Sequence, residues 1–97
     1  MAKTKLKTTR YDSAEYLRDE QDVAAYLDAA LEDGDPALIR QALQVSARAR
    51  GMTQIARDTG IARESLYKAL SENGNPEFAT VLKVVHALGL RLGARAA

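Results

Sequence analysis

The stretch that decides the fold is MTQIARDTGIARESLYKAL, residues 52–70, where two short segments with helical spacing of apolar residues meet at one glycine. Thr53 is placed to cap a brief helix running through Asp58, and Gly60 follows where a left-handed backbone would be costly for any other residue. Ala56 lies where the two helices would cross most closely, since a small side chain permits that approach. The pattern predicts two short helices joined by a tight corner.

The second helix of this pair is predicted to begin at Ala62 or Arg63 and to run to about Glu72. Its inner side carries Leu66, Ala69 and Leu70 at i, i+3 and i+4. Two helices meeting across a glycine turn, with a polar outer face on the second, are typical of a helix-turn-helix. Such a motif presents its second helix to the major groove of DNA, whose base edges differ in donor and acceptor pattern.

The outward residues of the second helix are candidates for reading bases. Arg63 suits guanine through its forked donors, while Glu64 could accept from cytosine or position Arg63. Residues at the start of the first motif helix suit phosphate contacts. The candidate DNA-binding set is Thr53, Gln54, Ala62, Arg63, Glu64, Ser65, Tyr67 and Lys68. The alternative interpretation is a helical hairpin whose charged residues are merely solvated.

Two further helices are predicted before the motif. The first begins at Asp19 and closes at Gly34, and the second starts with Asp35 as N-cap and Pro36 as first helical residue, ending near Gly51. The apolar face of the second helix is predicted to comprise Leu38, Ile39, Ala42, Leu43 and Val45.

A last helix is predicted after the motif, with Asn75 as N-cap, Pro76 as first helical residue and Gly89 as its end. Its apolar stripe is predicted to close the core and in part to form a two-fold dimer interface. This stripe comprises Phe78, Val81, Leu82, Val85 and Leu88.

These patterns divide the chain into an arm, a domain and a tail. Residues 1–18 are expected to be a flexible basic arm that could carry a short partner-binding helix. Residues 19–90 form a helical domain with the motif at 53–71, and residues 91–97 form a tail. Leu90 and Leu92, which alternate about Arg91, permit either a short strand that pairs with its mate across a dimer or a frayed tail, and the tail is favoured slightly. The predicted fold class is all-α, with about five helices.

Charge is divided unevenly along the 97 residues. Residues 1–10 hold four bases and no acid, residues 11–35 hold nine acids against Arg18, and residues 36–97 hold nine bases against four acids. This asymmetry suggests two different partners, one of them nucleic acid. The alternative is a set of solvated helix faces.

Composition argues against several classes of protein. The chain has no cysteine and a single histidine, His86, so no metal site, cofactor or catalytic triad is expected, and we predict that it is not an enzyme. No apolar run approaches the roughly 18 residues of a membrane span. We expect a soluble cytoplasmic protein with no membrane contact.

The motif also carries a resemblance to a known family. GMTQIARDTGIARESLYKALSENGNPEFATVLKVVHALGL, residues 51–90, resembles the Xre-type, lambda-repressor-like helix-turn-helix domain of addiction-module antidote proteins, which are HigA-like antitoxins of type II toxin-antitoxin systems. The upstream stretch DSAEYLRDEQDVAAYLDAALEDGDPALIRQAL, residues 12–43, is similar to the same family. The segments RESLYKALS and GNPEFATVLKV are the most distinctive.

The resemblance implies a small partner toxin, usually a RelE/ParE-like ribonuclease, and repression of the shared operon through operator double-stranded DNA. A homodimer or a toxin-antitoxin heterotetramer is expected. A stand-alone phage- or operon-type repressor is the alternative.

Ribonuclease toxins tend to be basic because they bind RNA, so the acidic segment 11–35 is the predicted toxin contact. Tyr11, Tyr16 and Leu17 would serve as apolar anchors there. Alternatively, Tyr16 and Leu17 pack on the protein's own core. The predicted toxin-binding residues are Tyr11, Glu15, Tyr16, Leu17, Asp19, Glu20 and Asp22.

Overall fold

The computed structural model describes residues 13–97, which form one short 3-10 turn and five α-helices and contain no strand. The turn spans Ser13–Tyr16, and the helices are α1 (Glu20–Asp33), α2 (Pro36–Arg50), α3 (Met52–Thr59), α4 (Arg63–Leu70) and α5 (Phe78–Ala87). The all-α prediction is therefore confirmed. The first twelve residues of the predicted arm (1–18), Tyr11 among them, lie outside the described residues, as does the side chain of Glu15. Among the described helices, none combines the length and the apolar character that crossing a membrane requires.

The first two helices begin and end at the predicted residues. Asp19 caps α1 by accepting a 2.9 Å hydrogen bond from the Asp22 N–H, and Gly34 ends it in the left-handed conformation with φ 84°. Asp35 then caps α2 by accepting from the Ala37 N–H at 2.9 Å, with Pro36 at the first helical position. Local capping chemistry alone therefore fixes these boundaries.

The core is organised around α2, which packs against α1, α3, α4 and α5. Burial of these apolar side chains contributes roughly 1.5–3 kcal/mol for each large one. The side chains with essentially no exposed surface are Leu43, Ile55, Leu66, Leu70, Val84, Val85 and Leu88.

Two predicted helix starts are wrong. The N-cap of α3 is Gly51, not Thr53, which lies exposed inside the first turn. The last helix begins at Phe78 with Glu77 as N-cap, because Glu77 is extended (φ −65°, ψ 154°) and Pro76 remains in the preceding loop.

The loop before α5 follows a path that requires glycine. A Cβ on Gly74 would collide with the backbone carbonyl oxygens of Lys68 and Ala69, and the Gly74 N–H donates to the Ser71 oxygen at 2.8 Å. The chain therefore folds back over the last turn of α4 before α5 can start. Asn75 therefore lies in this loop and does not cap α5, whose N-cap is Glu77.

Two residues expected on inner faces point to solvent instead. Leu38 is 42% exposed and Phe78 is 68% exposed. Ile39 and Leu43 make the core contacts at that end of α2, whereas Phe78 begins α5 at the edge of the bundle. The correction matters because Phe78 becomes available to a partner.

The tail has no regular structure but packs on the protein. Leu90 and Leu92 are partly buried against the core, and the Arg95 guanidinium lies 3.6 Å from both the Asp28 and the Glu32 carboxylates of α1. Residues 90–97 form neither strand nor helix. The single chain therefore shows the tail form, and a strand that pairs with its mate across a dimer stays untested.

Candidate functional site

The corner of the motif consists of three residues between α3 and α4. Gly60 has φ 75°, and its N–H donates to the Ala56 oxygen at 2.9 Å. The Thr59 hydroxyl accepts from the Ile61 N–H at 3.2 Å, while the half-buried Ile61 side chain packs against the core. The predicted corner at Gly60 is confirmed.

The second motif helix is held mainly by its buried side. Leu66 and Leu70 of α4 and Ile55 of α3 have no exposed surface. No side chain caps α4 at Ala62, and helices of its eight residues are unstable alone. Tertiary packing therefore fixes which face of α4 is presented outward.

The outer face of α4 is polar and exposed, as predicted. Arg63, Glu64, Ser65, Tyr67 and Lys68 are all exposed. Within residues 13–97 the side chains of Glu64, Ser65 and Lys68 make no hydrogen bond or ion pair. These groups have no intramolecular contact to give up on binding.

Arg63 and Tyr67 contact each other on this face. Its guanidinium carbon lies 5.6 Å from the ring centroid of Tyr67, and its Nη2 donates to the Tyr67 hydroxyl at 3.4 Å. Contacts of this kind one helical turn apart contribute about 0.5–1 kcal/mol when exposed. Tyr67 therefore restricts the rotamers of Arg63 without neutralising it.

The α3 side of the motif carries a small polar network. The Gln54 amide donates to Asp58 Oδ1 at 3.0 Å and accepts from Arg57 Nη1 at 3.3 Å. Gln54 is therefore already engaged, while Thr53 is exposed. Arg57, which the sequence interpretation did not single out, adds a basic group beside the corner. Its place in the last turn of α3, before Gly60, is the signal that could have found it.

The acidic segment is less available than its composition indicates. The caps of α1 and α2 use Asp19 and Asp35, and the other five carboxylates of residues 19–35 pair with Arg50, Arg95 or backbone N–H groups. The seven carboxylates engaged in this way are Asp19, Glu20, Asp22, Asp28, Glu32, Asp33 and Asp35.

The predicted apolar anchors separate in the structure. Tyr16 is 60% exposed, whereas Leu17 packs against the core. Near them, the Glu20 carboxylate lies 3.7 Å from the Arg50 guanidinium. Tyr16, Leu17, Asp19, Glu20 and Asp22, the predicted toxin-binding residues whose side chains the structure describes, lie at or just before the start of α1, but several of them already have structural roles.

The arrangement defines a small helical bundle with helix-turn-helix geometry, a polar outer face on α4 and an acidic α1. Residues 7–96 match the family described as probable addiction module antidote protein, and the chain belongs to this family. An uncharacterised protein of Haemophilus influenzae (strain Rd) is 54% identical over 81 residues, which are 84% of each chain. No solved structure matches the chain. Membership of an antidote family implies a toxin partner.

Proposed function

We propose that this protein is an antitoxin with two binding activities. It neutralises a RelE/ParE-like ribonuclease toxin by direct contact, and it represses its own operon by binding operator DNA through α4. It performs both tasks in the cytoplasm without a cofactor and without catalysis. Membership of the antidote family supports the first activity.

The observation that carries the DNA activity is the two-sided character of α4. Its inner residues Leu66 and Leu70 are fully buried, which holds its outer polar face rigidly away from the core. A major groove about 12 Å wide admits such a helix. In helix-turn-helix proteins the N-terminal residues of the second helix contact bases.

Individual roles follow from the chemistry of this face. Arg63 donates two hydrogen bonds to guanine, and its contact with Tyr67 lowers the entropy lost on binding. Glu64 accepts from cytosine or orients Arg63. Lys68 neutralises a phosphate, which contributes affinity without sequence preference. Arg57 and Thr53 contact phosphates from α3.

We further propose that the protein acts as a dimer, and as a heterotetramer with toxin. Two recognition helices must lie about 34 Å apart to meet successive major-groove faces. A single copy of α4 reads too few bases to select one operator in a genome. Pairing of two copies is therefore part of the repressor activity.

Co-expression tests both activities. The chain is expressed with its neighbouring open reading frames, and affinity-purified material is examined for a small basic protein and for retardation of the upstream DNA. We expect both. Retardation without a bound protein would favour the stand-alone repressor, and a bound protein without retardation would reject the DNA activity.

A further inference from the structure

A groove lies where the end of α1, the start of α2 and the start of α5 meet. Its cavity volume is about 450 Å³, and its wall is mainly apolar. The side chains that form most of this wall are Leu27, Leu31, Ile39, Phe78, Val81 and Leu92. The loop that follows α4 also lines the groove, through Glu72, Gly74 and Asn75.

Two large apolar side chains of the groove wall are exposed to solvent. Phe78 is 68% exposed and Leu31 is 39% exposed, and both line the same cavity. Contiguous apolar exposure of this kind marks interaction sites in soluble proteins. Covering Phe78 would favour binding, because it would remove apolar surface from water.

The protein's own tail indicates what chemistry this face accepts. Leu92 lines the groove, and three residues later the Arg95 guanidinium lies 3.6 Å from the carboxylates of both Asp28 and Glu32. An apolar side chain followed by an arginine therefore already binds along α1. The groove beside it is open and has room for further apolar and basic side chains from a partner.

Charge at the rim favours a basic occupant. Glu72 lines the groove, and Glu77 precedes Phe78; both are exposed. The lining base Arg40 is committed internally, because its Nη1 donates to the Leu70 oxygen at 2.8 Å. A partner that brings lysine or arginine beside apolar side chains would meet carboxylates here.

We propose that this groove is the docking site of the toxin, through a segment that combines apolar side chains with arginine or lysine. The inference rests on the antitoxin function proposed above and names the surface that performs it. A second copy fits less well, because a two-fold contact places the same acidic rim opposite itself. The toxin contact thereby moves from the start of α1 to its other end.

The chain offers a matched pair of leucines for the test. Leu31, in the groove wall, is 39% exposed, and Leu38, outside the wall, is 42% exposed. The full-length chain is purified as Leu31→Gln, Phe78→Ser and Leu38→Gln variants. Affinity is measured for the small protein encoded beside this chain's own gene, together with affinity for the upstream DNA and with sedimentation mass.

We expect Leu31→Gln and Phe78→Ser to weaken toxin binding about tenfold or more, as buried apolar anchors do, with Leu38→Gln within about twofold of the wild type. DNA affinity and sedimentation mass should stay unchanged in all three. Circular dichroism monitors folding, and a Glu77→Lys variant, which leaves every apolar contact intact, should also weaken the complex.

Three results overturn the inference in different ways. Normal toxin binding by the groove variants, with loss in Tyr16→Ser, would return the contact to the start of α1 and leave the antitoxin function intact. Conversion of a dimer to a monomer by Phe78→Ser at unchanged toxin affinity would identify a second copy as occupant. Absence of any complex with the wild-type chain would reject the proposed function itself.

Discussion

The helices α1 and α4 both expose charged faces, yet they use their charges differently. Each of the seven acids from Asp19 to Asp35 is held by an arginine or by a backbone N–H. On α4, Glu64 and Lys68 have no such partner among the described residues. The first face stabilises the fold, and the second is available to a ligand.

The difference teaches that a charge count does not measure a binding surface. The Asp19 carboxylate already caps α1, so removing it lowers the stability of the fold whether or not a partner is bound. A charged side chain without an intramolecular partner binds a ligand at a smaller cost in free energy, because no existing contact must be broken. This is why we assign DNA binding to α4 and place the toxin in the apolar groove and not on the acidic caps.

The largest expected effect comes from removing the inner anchor of α4. Leu66→Ala should lower the free energy of unfolding by about 2–5 kcal/mol, because Leu66 has no exposed surface and leaves a cavity. Urea denaturation measures the change. Tyr67→Ala, one residue later on the open face, should lower stability by no more than about 1 kcal/mol, through the lost contact with Arg63. Equal losses of unfolding free energy in the two variants would show that α4 has no open face.

The next effect concerns the corner that aims α4. Gly60→Ala should destabilise the protein by about 1–2 kcal/mol, since φ is 75° and the added Cβ meets nothing within 4 Å, so only backbone strain acts. Gly93→Ala, with equal space and no positive φ, is the matched control. Thermal unfolding of the two variants should differ clearly. Indistinguishable unfolding curves would contradict the left-handed backbone conformation at Gly60.

A smaller effect distinguishes the acids of the two helices. Asp19→Ala should cost about 1 kcal/mol through the lost cap of α1, whereas Glu64→Ala should stay within about 0.5 kcal/mol. Chemical denaturation of the two variants compares them directly. A cost for Glu64 as large as for Asp19 would remove the contrast between the helices.

The smallest effect is expected where the tail meets α1. Arg95→Gln removes both ion pairs, but exposed pairs contribute little, and we expect a loss under about 0.5 kcal/mol. Repeating the denaturation in about 1 M salt, where screening is strong, should abolish even that difference. A loss above about 1 kcal/mol would mean that the tail is a structural part of the bundle.

The elements predicted correctly from the sequence are those set by neighbouring residues. The caps at Asp19 and Asp35 and the corner at Gly60 depend on hydrogen bonds within a few residues, and the outward face of α4 follows from helical spacing. Phe78 shows the limit of spacing, since periodicity places it on the stripe but cannot reveal that no other element covers it.

The features missed from the sequence depend on distant contacts. The pairing of Arg95 with Asp28 joins residues that are far apart in the sequence. The groove is formed by three helices together with the loop before α5 and the tail, so no single segment carries a signal for it. The family match shows that the chain belongs to the antidote family, whereas the two candidate binding surfaces are identified from the fold.

One measurement tests most directly whether the outer face of α4 recognises the DNA sequence. Duplex DNA is selected from a random pool with the wild-type chain and with Arg63→Ala and Arg91→Ala variants, both positions being exposed arginines. We predict that Arg63→Ala loses preference at one base position and about 1–3 kcal/mol of specific affinity, whereas Arg91→Ala selects the wild-type sequence with unchanged affinity. The account would be contradicted if Arg63→Ala selected the same sequence with the same affinity as the wild-type chain.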